Sequence, residues 1–98
     1  MTPEQLIPVE VFCTNQEVET SFILSLHDRG LIQLTIVQEQ RFIETVHLPR
    51  IEQLARMHYE LDINLEGIEA ISHMLQRMQH LQDDMRSLRE RLRIYEEG

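Results

Sequence analysis

Apolar and polar residues change their period several times along the chain, and each change marks a boundary between elements. Val9, Phe12 and Cys13 stand at i, i+3 and i+4, after Pro8, which suits a first helical turn. A short helix is expected there, with Thr14 to Val18 as the connection that follows. Thr20 to Arg29 predicts a second helix with Ile23 and Leu26 inward, and Gly30 supplies the left-handed stop. Two short helices joined by a tight turn form a helix-turn-helix. From Leu31 to Val37 the period becomes two, with Ile32, Leu34 and Ile36 alternating against Gln33 and Thr35. Gln38, Glu39 and Gln40 break the run, and Arg41 to Ile43 predicts the returning strand of a hairpin wing, without an Asn-Gly or Asp-Gly turn.

Helical spacing then resumes. A third helix is expected from Thr45 or Pro49 to Leu61, with Ile51, Leu54, Ala55, His58 and Leu61 on one face. Asp62, Ile63 and Asn64 interrupt it, and Asn64 suits the N-cap of a last helix from Leu65 to about Glu96. The apolar positions of that helix are Ile68, Ile71, Leu75, Met78, Leu81, Met85, Leu88, Leu92 and Tyr95, in steps of 3, 4, 3, 3, 4, 3, 4 and 3. This is a heptad seam broken once, at Met78. Ile68 to Met78 is expected to pack on the chain's own domain. Leu81, Met85, Leu88, Leu92 and Tyr95 are expected to pair with a second copy, because too little chain remains to cover them. Arg86 with Glu90, and Arg89, Arg91 and Arg93, suit the polar flanks of such a pair. The alternative is a helix folded back on its own wing. The expected fold is mainly α: a winged helix-turn-helix over residues 1–64 and a long dimerisation helix over 65–98.

Ninety-eight residues suit one small domain with a helical extension. Cys13 is the one cysteine, so no intrachain disulfide can form, and its place on an apolar stripe favours a core position over a nucleophile. Met1 to Asn15 has no signal-peptide pattern, and no stretch approaches the roughly 20 apolar residues of a membrane span, so the cytoplasm is the expected compartment. Charge changes the picture more. There are 17 acids against nine Arg, a net of −8. Met1 to Leu48 holds only Arg29 and Arg41 against seven acids, the region where a helix-turn-helix would read DNA. A DNA-binding face needs cations to replace phosphate counterions, whereas acidity also simply aids solubility.

No catalytic residue, metal ligand or cofactor is expected. His73 and His80 share a face, but seven residues separate them by about 10 Å along a helix, too far for one ion. His27, His47 and His58 lack a ligand-spaced partner. Asp83-Asp84 and Glu96-Glu97 read as solvated acids, because carboxylate catalysis needs a shared cleft. Among the methionines, Met74 and Met85 are candidates for a partner-binding surface.

Leu26-His27-Asp28-Arg29-Gly30-Leu31-Ile32 and Asn64-Leu65-Glu66-Gly67-Ile68 resemble the MerR-type winged helix-turn-helix. Val9-Glu10-Val11-Phe12-Cys13, the stretch from Glu60 to Ile68, and Leu88-Arg89-Glu90-Arg91-Leu92 resemble its CbpM-like branch of chaperone modulators. The resemblance covers roughly Ile7 to Leu92. It implies a non-enzymatic modulator that binds the J-domain of a DnaJ- or CbpA-type co-chaperone and inhibits its work with DnaK. J-domains of that kind carry a basic helix, to which an acidic chain is complementary. Glu17 stands where relatives usually have Gly, and Glu19 where they have a Ser or Thr cap. Ser21 and Leu24 stand where the DNA-binding relatives commonly carry Arg. The candidate partner contacts are therefore Glu17, Glu19, Leu24, Glu60, Asp62 and Glu66. Their plainer readings are packing for Leu24 and a favourable helix-dipole position for Glu66. The alternative function is a MerR-like DNA-binding regulator; a generic coiled-coil adaptor and an enzyme rank below it.

Overall fold

The computed structural model describes residues 5–97. The elements run β1 (Leu6–Pro8), α1 (Val9–Gln16), α2 (Thr20–Asp28), β2 (Thr35–Val37), β3 (Gln40–Glu44), a 3₁₀ turn (Thr45–His47), α3 (Leu48–Tyr59) and α4 (Leu65–Glu97). This is the mainly α, winged helix-turn-helix architecture that the periodicity predicts. One core joins every layer: Val9, Phe12 and Cys13 from α1, Phe22, Ile23 and Leu26 from α2, Leu31 and Ile32 after it, Ile43 from β3, Ile51 and Leu54 from α3, and Ile68 from α4.

The helix ends follow from local backbone bonding. Gly30, at φ 74°, closes α2 in a Schellman motif, with its N–H donating to the His27 carbonyl and the Leu31 N–H to that of Leu26. α1 ends the same way on a residue less suited to it. Glu17 sits at φ 55°, and its N–H and that of Val18 both donate to the Cys13 carbonyl. The position is left-handed, and a glutamate holds it at a steric cost.

The sheet differs from the expected hairpin in two ways. It has three antiparallel strands in the order β1-β3-β2. β1 was invisible in the pattern because it is only three residues long and ends in Pro8, tolerated at a sheet edge because it has no N–H to offer a further strand. In addition, Leu31 to Leu34 is not strand. Leu31 and Ile32 turn into the core, and the Leu31 carbonyl accepts a hydrogen bond from Arg50 Nε at 3.1 Å instead of from a neighbouring strand. The wing turn is Gln38-Glu39, both at positive φ (51° and 66°), the conformation a two-residue hairpin turn needs.

α3 starts with Pro49 in its first turn and ends at Tyr59, two residues before the expected end. Leu61 lies beyond it in the break and is 66% exposed, so it does not belong to the inward face as expected. Asp62 takes a left-handed backbone (φ 55°), and the Ile63 N–H donates back to the Met57 carbonyl. His58 is half-buried with its ring stacked 4.5 Å from that of Phe22, and its Nδ1–H donates to the Ile63 carbonyl at 2.9 Å. Asn64 caps α4 as its residue type predicts, its Oδ1 accepting the Gly67 N–H at 2.8 Å.

Gly67 sits where the break folds back onto the first turn of α4. A Cβ added there would lie 2.8 Å from Ile63 Cγ2 and 3.1 Å from the capping Asn64 Oδ1. Alanine normally gains about 1 kcal/mol over glycine within a helix. Here the clash, of the overpacking kind that costs about 1–3 kcal/mol, outweighs that gain. Gly67→Ala is expected to lower the urea unfolding midpoint, and to raise it once Ile63→Ala has removed the obstructing methyl; a midpoint raised by Gly67→Ala alone would contradict the close approach.

Candidate functional site

Three surface features stand out: the recognition-helix face, a groove beside it, and the free length of α4. On α2, Thr20, Ser21, His27 and Asp28 are exposed, and Leu24 and Ser25 are half-buried. Arg29 follows directly but turns away, its guanidinium paired with Glu66 at 3.1 Å and Glu69 at 3.8 Å on α4. Among the described residues up to the wing, Arg41 is then the one arginine outside an ion pair.

At the other end of α2, Glu19 donates its backbone N–H to the Tyr59 hydroxyl at 3.0 Å, and its Oε2 accepts from Ser21 Oγ at 3.4 Å. The first of these bonds ties the turn of the helix-turn-helix to the end of α3. Beside it runs an open groove of about 420 Å³, lined by Phe12, Gln16, Glu17 and Val18 on one side and by Glu52, Ala55, Arg56 and Tyr59 of α3, with Glu60 just after it, on the other.

Of the six candidate contacts, Glu17 and Glu60 meet across this groove, with Glu19 beside them through Tyr59. Leu24 is half-buried on α2, and Asp62 is exposed in the break; neither lines the groove. Glu66 does not join them, because it is paired with Arg29. A hydrogen bond from its own backbone N–H, then the Arg29 guanidinium as donor and as charge, hold the Glu66 carboxyl below the usual glutamate value. Glu52, Ala55, Arg56 and Tyr59 were missed. Their i, i+3, i+4, i+7 spacing was present in the sequence, but only the fold shows α1 standing opposite that face.

α4 is engaged by the domain only over its first turns. Ile68 and Ser72 are buried, Leu65 and Ile71 half-buried, and every described residue from His73 onward is exposed. The helix does not fold back on the wing. Own-domain packing therefore stops short of Met78, which is 54% exposed, contrary to the expected limit. Leu81, Met85, Leu88, Leu92 and Tyr95 are all uncovered. The structure also removes the break in the seam. Leu75 is the least exposed of these apolar residues at 37%, whereas its neighbour Met74 is 64% exposed. With Met74 in the seam, Ile71, Met74, Met78, Leu81, Met85, Leu88, Leu92 and Tyr95 follow steps of 3, 4, 3, 4, 3, 4 and 3, an unbroken heptad. Ile68, Ser72 and Leu75 form a second stripe about 90° around the helix, facing the domain.

The family comparison agrees with the fold. Residues 7–90 match the family model described as MerR HTH family regulatory protein. The chain belongs to the MerR family. A search of curated proteins and a search of solved structures gave no match. No helix of this MerR-family chain is long and apolar enough to cross a membrane among the described residues, and no group of three or more His, Cys, Asp or Glu among them is placed to hold a metal ion.

The Arg29–Glu66 pair joins the recognition helix to α4, and its dependence on pH is a direct check. A carboxyl held below its unfolded value contributes stability above that value and loses it as the pH falls through the folded value. Glu66→Gln is expected to lower stability at pH 7, and its difference from the parent chain should shrink as urea titrations are taken below about pH 4. A difference that stays constant with pH would show that the pair contributes nothing through charge.

Proposed function

We propose that this MerR-family chain is a non-enzymatic modulator that binds the J-domain of a DnaJ- or CbpA-type co-chaperone and blocks its work with DnaK. The observation that carries the reading is the sign of the recognition surface. A DNA-reading helix-turn-helix presents cations to phosphates at the start and along the exposed face of its second helix. Here Glu17 and Glu19 stand at that start, Thr20, Ser21 and Asp28 are exposed along the helix, and Arg29 is spent on α4. Such a surface repels a polyanion and complements a cationic protein. The resemblance of the blocks around Val9–Cys13, Glu60–Ile68 and Leu88–Leu92 to CbpM-like chains is the ground for choosing a J-domain as that protein. The cytoplasm, where DnaK and its co-chaperones work, is the compartment this reading requires.

A second reading, a DNA-binding transcriptional regulator, draws on the family description and on Arg41, exposed at the wing. Titrations of the purified chain separate the two. The J-domain is expected to bind with micromolar or tighter affinity and to lose its stimulation of the DnaK ATPase. Tight attachment to duplex DNA that weakens steeply with salt, with the J-domain unbound, would overturn the proposal.

The chain acts as a homodimer in this reading. An apolar stripe along roughly 37 Å of uncovered helix is more than an isolated helix retains in water, and a second copy offers the same heptads to close it. Leu88→Glu at the middle of the Leu81 to Tyr95 stretch is expected to convert a dimer to a monomer in light scattering at tens of micromolar. A parent chain that is monomeric at that concentration would remove the seam's assigned role.

A further inference from the structure

We propose that the groove between the end of α1 and the exposed face of α3 is the seat of a basic amphipathic helix of the partner. The inference deepens the reading above, on which it rests for the partner's identity but not for the chemistry of the seat.

The groove has a small apolar floor within a mostly polar, largely acidic lining. Phe12, Val18, Ala55 and Tyr59 supply the floor; Phe12 is buried beneath it and Tyr59 is 42% exposed within it. Glu17 stands on one wall, and Glu52 and Glu60 on the other, with Arg56 between them as the one cation of the lining. A volume of about 420 Å³ is the size of several side chains, far more than a bound ion fills. An occupant must therefore bring an apolar ridge and cations on both of its flanks. A helix with apolar residues at i, i+3, i+4 and i+7 and Lys or Arg beside them has that form.

Length and alternatives point the same way. Glu52 of α3 and Glu60 just after it are eight residues apart, about 12 Å, so the walls run beside two turns of a helix. No residue of β1, β2 or β3 lines the groove, so it offers no strand edge for an extended peptide to pair with. Three carboxylates against one guanidinium repel a nucleic-acid backbone. A second copy could bring the stretch from Arg86 to Arg93, but its apolar residues there already lie on the unbroken heptad that pairs α4 with α4. The seat itself is held firm: the Glu19 N–H to Tyr59 hydroxyl bond and the T-shaped packing of Tyr59 on Phe22, centroids 5.4 Å apart, fix its far end.

The test is a nitrogen-15 NMR titration of the full chain with two probes. One is the J-domain of a DnaJ-type protein. The other is a synthetic helical peptide of roughly 18 residues, with leucines at i, i+3, i+4 and i+7 flanked by lysines. Amide shifts are expected at Phe12, Gln16 to Val18 and Glu52 to Glu60 with both probes. E52K/E60K, both at exposed positions, should weaken each by about tenfold or more. It should in turn bind a peptide whose lysines are replaced by glutamates. E39K, an exposed acid at the wing turn outside the groove, should leave affinity within about twofold. J-domain binding whose shifts fall elsewhere and resist E52K/E60K overturns the groove while leaving the proposed function standing. Peptide binding in the groove with no J-domain binding does the reverse. Groove shifts that depend on chain concentration without any probe assign the groove to a second copy, and also overturn the inference.

Discussion

A chain of 98 residues has apolar side chains for one compact core, and α4 is far longer than that core can cover. This shortage governs the rest of the molecule. The core is completed by Ile68 of α4, which packs chiefly on α3, and from His73 onward every described residue of the helix is exposed. Helices in proteins owe most of their stability to packing an amphipathic face and not to propensity, so the free stretch needs an apolar neighbour to be well formed. Its heptad spacing gives that neighbour a specific shape. The domain-facing stripe and the seam occupy adjacent sides of the same turns, so the helix can hold its own domain and a second helix without choosing between them.

The winged helix-turn-helix is intact as a scaffold, and the outward surface of its turn and second helix is short of free cations. Its two short helices, wing and following helix are placed by the usual devices: a Schellman stop at Gly30, a capped helix start at Asn64, and a core drawn from both faces. The side chains that face outward are another matter. Arg29, positioned to point along the end of the recognition helix, is drawn toward Glu66 and Glu69. The turn that would approach a phosphate carries Glu17 and Glu19. Fold and charge thus carry separate messages: the first identifies the family and the second argues for a protein partner.

Much of the fold was legible because its signals are local. Gly30 and Asn64 each act within a few residues and appear in the structure as read, and the change of period after α2 marks the wing, although its strand begins at Thr35 and not at Leu31. What was not legible depends on contacts between distant segments. β1 has three residues and acquires meaning only beside β3. Leu31 and Ile32 alternate like a strand, but burial and Arg50 decide their conformation. Met74 and Leu75 look equivalent in an apolar list, and only the position of the domain separates them. The candidate site divided similarly. Glu17 was legible as an acid near the start of the second helix and Glu60 as an acid around the break, whereas the groove between them required knowing that α1 and α3 lie side by side.

Four residues other than glycine, Glu17, Gln38, Glu39 and Asp62, hold backbone conformations that L-amino acids adopt at a cost of roughly 1–2 kcal/mol each. All four lie at connections, and three of them are acids. The chain is consequently less robust than its architecture permits, and its thermal reserve could be enlarged at these joints by glycine without altering a single buried contact. Where such a replacement also erases a carboxylate, durability and surface charge become competing demands on the same residue.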